Sequence, residues 1–332
     1  MLSDNTFPSN IQLVLKRMAA YVVRRLLSMF PILLGAVTFT FFLMRLVPGD
    51  PVLVMLGPDA SPEAAEQLRH SMGLDKPIFI QYLLFITRVS QGDLGVSIAF
   101  HEPVVNVIKQ RLEVSSFLAL GSGLIILFLG VGLGILAAAR AGSWVDQLVL
   151  MLAVIGVAVP SFWLGLMLML VFAVRLNLLP SSGFVSIIKT GNVGNVKYLI
   201  LPSFVLGFVN SALVARLTRA SMLEVLQEDF IRAAFAKGLP SSTVLLRHTL
   251  RNAAIPVLTV FTFTLAGIFS GAVVTETVFA LPGIGRLVVE AILKRDYPVI
   301  QGLMLLVAGA YLLVNLLTDI FYALIDPRLR LC

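Results

Sequence analysis

The sequence predicts an all-α, polytopic membrane protein with six transmembrane helices, and two observations carry this prediction. Hydrophobic residues make up 58% of the 332-residue chain and charged residues 13%, whereas soluble domains carry about 25% charged residues. Six runs are also apolar over the roughly 20 residues that a spanning helix needs. Runs of this length favour helices, because every backbone polar group must be paired in lipid. The expected spans are about 26–47, 114–139, 147–174, 199–221, 255–279 and 299–325.

Positive charges indicate which side of the membrane holds the termini. With six spans both termini lie on one side, and that side carries thirteen Lys and Arg residues. The shorter loops of the opposite side carry six, and loops beyond about 60 residues, such as 48–113, count little in this rule. We therefore expect both termini and the 224–252 segment in the cytoplasm. A twin-arginine signal at Arg24 and Arg25 is the alternative, but the apolar run that follows is too long and has no evident cleavage site.

The long outer loop at 48–113 contains two helix patterns. Ser61 is expected to cap the first, with Pro62 at its first position, and Gly73 is placed to end it. A second helix is expected from Pro77 to about Ser90, with apolar residues that suit the bundle or the membrane surface.

Two features of the apolar runs bear on other classes of protein. Gly130 and Gly134 in span 2 have the spacing that lets membrane helices approach closely. A dinucleotide-binding interpretation fails, because no βαβ pattern surrounds these glycines. The single cysteine, Cys332, excludes a disulfide framework and a CxxC site.

The most informative stretch is the polar, basic segment 224–252 between spans 4 and 5. A helix is predicted from Asp229 to Lys237, with acids at its start and a base at its end that match the helix dipole. Gly238 is a natural C-cap. The spacing predicts one apolar face made of Ile231, Ala234 and Phe235.

A second helix is expected to start at an N-cap on Ser241 and to run through Leu250. The first helix of about ten residues is marginal alone in water, so we expect it to pack against something. The chain contains no G-x-x-x-x-G-K-[ST] loop for nucleotide, so energy for transport has to come from another chain.

These residues resemble the "EAA" loop of binding-protein-dependent ABC importer permeases, and most closely the first permease subunit of the peptide, nickel and glutathione branch. Arg232 stands where the general EAA pattern has glutamate, which is usual in the peptide branch. Further matches occur in the family's order along the chain. They are Pro48-Gly49-Asp50-Pro51, Gly73-Leu74-Asp75-Lys76-Pro77, Gly92-Asp93-Leu94-Gly95, Glu228 to Leu239, His248 to Ala253, Ile255-Pro256, Thr275 to Phe279, Leu281 to Arg286, Arg295 to Pro298 and Asp326 to Arg330.

The resemblance implies a type I ABC importer permease (MetI-like) fold in a bacterial inner membrane. It implies a second homologous permease subunit, two cytoplasmic ATPase subunits and a periplasmic or lipid-anchored solute-binding protein as partners. No cofactor is expected on this chain, and ATP and Mg are expected on the ATPase subunits. The residues expected to couple to the ATPase are Glu228, Asp229, Arg232, Ala233, Ala234, Lys237 and Gly238.

The expected organisation follows from the spans and the resemblance together. A cytoplasmic tail covers 1–25, and the first span with a long periplasmic loop covers 26–112. A five-helix permease core with the coupling loop 224–252 covers 113–325, and a second cytoplasmic tail covers 326–332.

Ionisable and polar residues inside the spans are candidates for function. Glu276 is expected near the outer mouth, as a structural or gate-lining residue more than a substrate contact, and Asp319 is expected to pair with a basic residue. Candidate pathway or gate residues are Asn210, Ser211, Ser270, Thr275 and Glu276, although helix–helix hydrogen bonding explains the uncharged ones equally well.

Metal and catalytic chemistry find little support in the sequence. The histidines His70, His101 and His248 are scattered, with no metal-ligand spacing. The external acids resemble ordinary loop charges, some of which can meet a binding protein; they are Asp50, Asp59, Glu63, Glu66, Asp75, Asp93, Glu102 and Glu113.

Two other classes of protein remain as alternatives to the permease. A stand-alone secondary transporter or channel would not need the helices of 224–252, and an intramembrane hydrolase would need a catalytic pair that the sequence does not present. The solute stays open among dipeptides, oligopeptides, glutathione, nickel chelates and opine-like compounds.

Overall fold

The computed structural model describes residues 7–46, 52, 56, 61–71 and 73–325, so the predicted motifs at 48–51 and 326–330 and the acid Asp59 lie outside it. The described part is helical, with an isolated antiparallel bridge between Val96 and Pro103. Five helices in this part are long and apolar enough to cross a membrane, or six if one bent pair counts as a span. The all-α prediction is confirmed.

The helices are numbered here in chain order. They are α1 Phe7–Leu46, α2 Pro62–Ser71, α3 Ile78–Ser90, α4 Val104–Ala139, α5 Trp144–Ala158, α6 Ser161–Arg175, α7 Lys197–Leu226, α8 Asp229–Ala236, α9 241–278, α10 Ile284–Leu293 and α11 Tyr297–Ile325. Single π-helical turns lie in α4 at Ile126–Val131, in α6 at Met169–Arg175 and in α9 at Val244–Thr249.

The third predicted span is not one continuous helix. The sequence predicted a single span over 147–174, but α5 and α6 meet at an angle of 103°. Val159 between them has φ −82° and ψ 122°, outside the helical region. The cause is Pro160, which has no N–H to donate and disfavours helical geometry in the residue before it.

Helix α7 lies at the centre of the bundle and α1 at its edge. In their most apolar windows 61% of residues are buried in the span that contains α7, and 17% in α1. The main core joins α4, α7 and α9 through residues such as Leu118, Val205 and Ile268.

The glycines of α4 permit its close contact with α7. A Cβ at Gly130 would lie 2.9 Å from the Val214 side chain, and one at Gly134 would lie 2.7 Å from the carbonyl oxygen of Ala215. The close helix approach predicted from their spacing is confirmed.

The outer-loop helices have the bounds that the sequence predicted. Helix α2 begins at Pro62 and ends before Gly73, whose φ of +68° is the left-handed conformation of a helix stop. Helix α3 follows Pro77 and packs on α1, where the hydroxyls of Tyr82 and Thr38 lie 2.6 Å apart.

Candidate functional site

Helix α8 connects α7 to α9 at one end of the bundle and is closed by a Schellman motif. Gly238 adopts φ +77°, its N–H donates to the Phe235 carbonyl at 2.9 Å, and the Leu239 N–H donates to the Ala234 carbonyl at 3.4 Å. These two hydrogen bonds form the glycine-based helix stop that the sequence predicted at Gly238. The helix therefore has a fixed end and a defined orientation.

The inner face of α8 is held by apolar packing. Ile231 and Ala234 are buried against Val244, together with Val225, Leu226 and Leu239. The prediction that Phe235 shares this face is wrong, because its side chain is 44% exposed. The side chains that cover α8 are Val225, Leu226, Leu239 and Val244, and they contact Ile231 and Ala234 but leave Phe235 at the edge of the buried face exposed.

The exposed surface of α8 carries two aromatic side chains, one on each side of the strip that Ile231 and Ala234 bury. Phe230 is 46% exposed and Phe235 is 44% exposed. Exposed aromatic residues on a rigid helix are typical anchors of protein–protein interfaces. The sequence analysis did not single out Phe230, because this residue lies outside the predicted apolar face of Ile231, Ala234 and Phe235.

The residues predicted to couple to a partner are divided between the two faces. Exposed residues are Glu228, Asp229, Arg232, Ala233, Lys237 and Gly238. Ala234 faces inward, so it lets α8 approach its own chain closely. Asp229 and Arg232 form an ion pair of 3.3 Å whose side chains are 97% and 73% exposed, and pairs of this kind contribute little stability.

The segment after α8 differs from its predicted form. Pro240, and not Ser241, occupies the N-cap position, with no side-chain capping bond. From Ser241 the chain is helical through Val278, so the predicted second short helix is the first part of α9. Pro256 does not break it, and α8 is thereby attached to a spanning helix on both sides.

A buried ion pair ties α7 to α5 near the same end of the bundle. Arg219 donates through Nε and Nη2 to both carboxylate oxygens of Asp146, and the Gly142 N–H donates to Asp146 at 2.9 Å. The Asp146 side chain is 4% exposed. The sequence analysis assigned neither residue a role; an acid in the first turn of an apolar span was the signal available.

At the other end of α9, Glu276 is fully buried and accepts hydrogen bonds from two elements. The Ser115 hydroxyl on α4 donates to Oε1 at 2.7 Å, and the Arg286 N–H on α10 donates to Oε2 at 2.9 Å. Ser115 Oγ in turn accepts from the Ile284 N–H at 2.8 Å. The contacts agree with the structural interpretation of Glu276.

The other candidate pathway residues do not converge on one cavity. Asn210 donates to the Leu206 carbonyl at 2.7 Å, and buried Ser211 donates to the Phe208 carbonyl at 2.7 Å, both within α7. Thr275 is buried and its hydroxyl has no hydrogen-bond partner among the described residues. Ser270 lies on α9, and its side chain is outside what the structure describes.

Asp319 pairs with a base, as predicted. Its carboxylate lies 3.0 Å from the Arg25 guanidinium, which joins α11 to α1. The pair borders a cavity of about 370 Å³ between α1, α9 and α11. Glu113, predicted as a loop charge, instead accepts from the Ile187 N–H at 2.8 Å and the Ser186 hydroxyl at 2.7 Å, at the start of the four-residue helix Ile187–Thr190 in the loop after α6.

Metal-binding geometry is not found in the part of the chain that the structure describes. Groups of three or more His, Cys, Asp or Glu side chains that can hold an ion do not occur there. His70 instead lies 3.4 Å from Asp75 within the outer loop.

Fold and site together define a class of protein: a membrane-spanning transporter subunit that presents a capped amphipathic helix outside the bilayer. Two family models cover most of the chain. The model described as "binding-protein-dependent transport system inner membrane component" matches residues 130–331, and its N-terminal counterpart matches 18–119. The chain belongs to this family of ABC importer permeases, which have the MetI-like fold.

Named relatives match over almost the whole chain. A probable peptide ABC transporter permease protein of Sinorhizobium fredii is 42% identical over 94% of this chain and 100% of its own length. The dipeptide transport system permease proteins DppB of Escherichia coli and Alkalihalophilus pseudofirmus are 41% and 40% identical over 94% of this chain. They cover 99% and 100% of those proteins.

Proposed function

We propose that this chain is the permease subunit of an ATP-driven importer of peptides or peptide-like solutes, and that α8 is its coupling helix. The single observation that carries the coupling role is α8 itself, which is capped, anchored by Ile231 and Ala234, and exposes Phe230 and Phe235. The peptide class rests on what the relatives are named for transporting.

A force applied to α8 has a physical route into the membrane. Ile231 and Ala234 are packed against the ends of α7 and α9, so displacement of α8 acts on both helices. The Asp146–Arg219 pair carries the displacement of α7 to α5. The α4 glycines extend the same rigid contact to α4.

The proposed assembly contains a second homologous permease subunit, two ATPase subunits that bind ATP and Mg, and a solute-binding protein. This chain itself then holds no ATPase site and no cofactor. The chain lies in a bacterial inner membrane, with both termini and α8 on the cytoplasmic side and the long loop on the periplasmic side. The 113–325 core would then act as the moving unit.

The transport pathway is proposed at the contact with the second permease. Within this chain, Asn210 and Ser211 bond to their own helix and Glu276 is enclosed. Because these side chains are engaged within the chain, they do not form a path by themselves, and the path is proposed to lie between the two subunits. Thr275 has a buried and unpaired hydroxyl, so it lies inside this chain and away from that contact.

Replacing Gly238 with Phe tests the coupling role, with Gly92 as a matched control. Both glycines have φ +77° and open space at the Cβ position, so both substitutions impose the same backbone strain of about 1 kcal/mol. We expect G238F to abolish dipeptide uptake by proteoliposomes that contain the whole importer, while membrane insertion persists. G92F should retain most of the uptake, and equal uptake by the two variants would contradict the coupling role.

The same proteoliposomes test the solute class. We expect labelled dipeptide to accumulate in an ATP-dependent manner and unlabelled peptide to compete with it. Competition by glutathione or a nickel chelate alone would assign the chain to another solute within the branch.

A further inference from the structure

We propose that Glu276 and Ser115 are positioning residues that fix α10 to the wall formed by helices α4 and α9. The three helices would then move as one body during transport. Helix α10 lies between two spans at the end of the bundle opposite α8, where a short helix is the obvious candidate for a flexible gate. The contacts of its first turn argue for the opposite behaviour.

The first turn of α10 is held by groups from two other helices. Glu276 of α9 accepts from the Arg286 N–H, and Ser115 of α4 accepts from the Ile284 N–H. These two side chains are also bonded to each other at 2.7 Å. The first N–H groups of a helix have no partner within the helix, so the two side chains satisfy groups that would otherwise be unpaired in the protein interior.

Steric contacts leave the same turn no room to move inward. A Cβ at Gly285 would lie 2.7 Å from the backbone N and Cα of Val273 on α9. A Cβ at Gly283 would collide with the Glu276 carboxylate. Both glycines are therefore required by close approach, a role that their place in the Leu281 to Arg286 match did not reveal.

The C-terminal end of α10 is held in a similar way. Asp296, three residues after the helix, is fully buried and accepts from the Ser97 hydroxyl at 2.5 Å and from the Ala99 N–H at 3.0 Å. The loop that contains Ser97 leads directly into α4 at Val104. Buried carboxylates thus hold α10 at both ends. At each end the hydrogen bonds include a residue of α4 or of the loop that leads into it.

Removal of one of these carboxylate contacts leaves buried polar groups unpaired, which is costly. Separation of α10 from α4 in each transport cycle would break the bond from the Ile284 N–H to Ser115 and the bonds from Ser97 and Ala99 to Asp296, and separation of α10 from α9 would break the bond from the Arg286 N–H to Glu276. The geometry therefore favours motion of the outer wall as a unit, driven from the α8 end, over local opening at α10.

The test uses Ser115→Ala, with Ser122→Ala as its matched control. Both serines are buried on α4, but the Ser122 hydroxyl has no hydrogen-bond partner among the described residues. In a Cys332→Ser background, exposed Lys109 and Leu293 are changed to Cys and spin-labelled, and their distance is measured in the full importer with and without trapped ATP.

We expect one narrow distance distribution that is the same in both nucleotide states. S115A should broaden it, and S122A should not. A shift between nucleotide states in the unsubstituted serine background, or a narrow distribution in S115A, would overturn the proposal. The inference rests on the proposed transport function, so uptake is measured on the same labelled sample, and absence of uptake contradicts that function. The comparison of S115A with S122A without nucleotide tests only the attachment of α10 to α4 through Ser115.

Discussion

Helices α8 and α10 have similar lengths and lie at opposite ends of α9, but they are attached in different ways. Helix α8 is held by apolar packing on one face and leaves two phenylalanines exposed. Helix α10 is held at both ends by buried carboxylates and by glycine contacts with no free space. The difference supports the proposal that α8 docks on another protein, whereas the first turn of α10 is enclosed by its own chain and only its last residues, Ile292 and Leu293, are exposed.

The largest expected loss of stability follows from breaking the buried ion pair between Asp146 and Arg219, near the α8 end of the bundle. Asp146→Ala leaves Arg219 without its buried partner, and loss of one member of such a pair costs about 3–5 kcal/mol. Asp229→Ala removes the exposed partner of Arg232, and such pairs are worth about 0–1 kcal/mol. Thermal melting of the solubilised protein should separate these variants clearly; equal melting temperatures would place Asp146 outside the structural core of this end.

A smaller loss of stability is expected at α10. Gly285→Ala forces a methyl group against the α9 backbone, and overpacking of this kind costs about 1–3 kcal/mol. Gly267→Ala, on α9, has open space at the Cβ position and removes a helix glycine, so it should be neutral or slightly stabilising. If melting shows G285A to be as stable as G267A, α10 is less tightly enclosed than its contacts indicate.

The smallest effect on stability, and the clearest on function, is expected on the exposed surface of α8. Phe235→Ala should lower the melting temperature less than Gly285→Ala does, because the side chain is only partly buried, but it should weaken binding of the ATPase subunits about thirtyfold, because truncation of an interface anchor typically costs about 2 kcal/mol. Leu293→Ala on α10 is the control, since this side chain is 79% exposed. Co-purification at graded ATPase concentration measures the affinity, and an equal loss in both variants would remove the distinction between the two helices.

Much of the fold follows from the sequence because long apolar runs and cap residues act locally. The spans, the stop at Gly238 and the close α4–α7 contact at Gly130 and Gly134 are all read from patterns within one segment. The break at Val159 was missed, because a proline in a membrane span can be accommodated either as a kink or as a break, and tertiary packing decides between them.

The site was less accessible to prediction because its key contacts join distant segments. Ser115 and Glu276 are 161 residues apart, and Asp146 and Arg219 are 73 apart. Neither spacing carries a signal in a single sequence. The assignment of Phe235 to the buried face failed for a related reason: helical spacing gives the candidates for one face, but neighbouring helices determine how wide the buried strip is.

The glycine contact between α4 and α7 gives the molecule mechanical leverage. Helix α7 spans 30 residues, which corresponds to a rod of about 45 Å at 1.5 Å per residue. Because α4 contacts α7 closely at Gly130 and Gly134, we expect α7 to tilt together with α4 and not to slide along it. A tilt of about 10° at its α8 end would displace the far end by about 8 Å, a stroke comparable to the diameter of a helix.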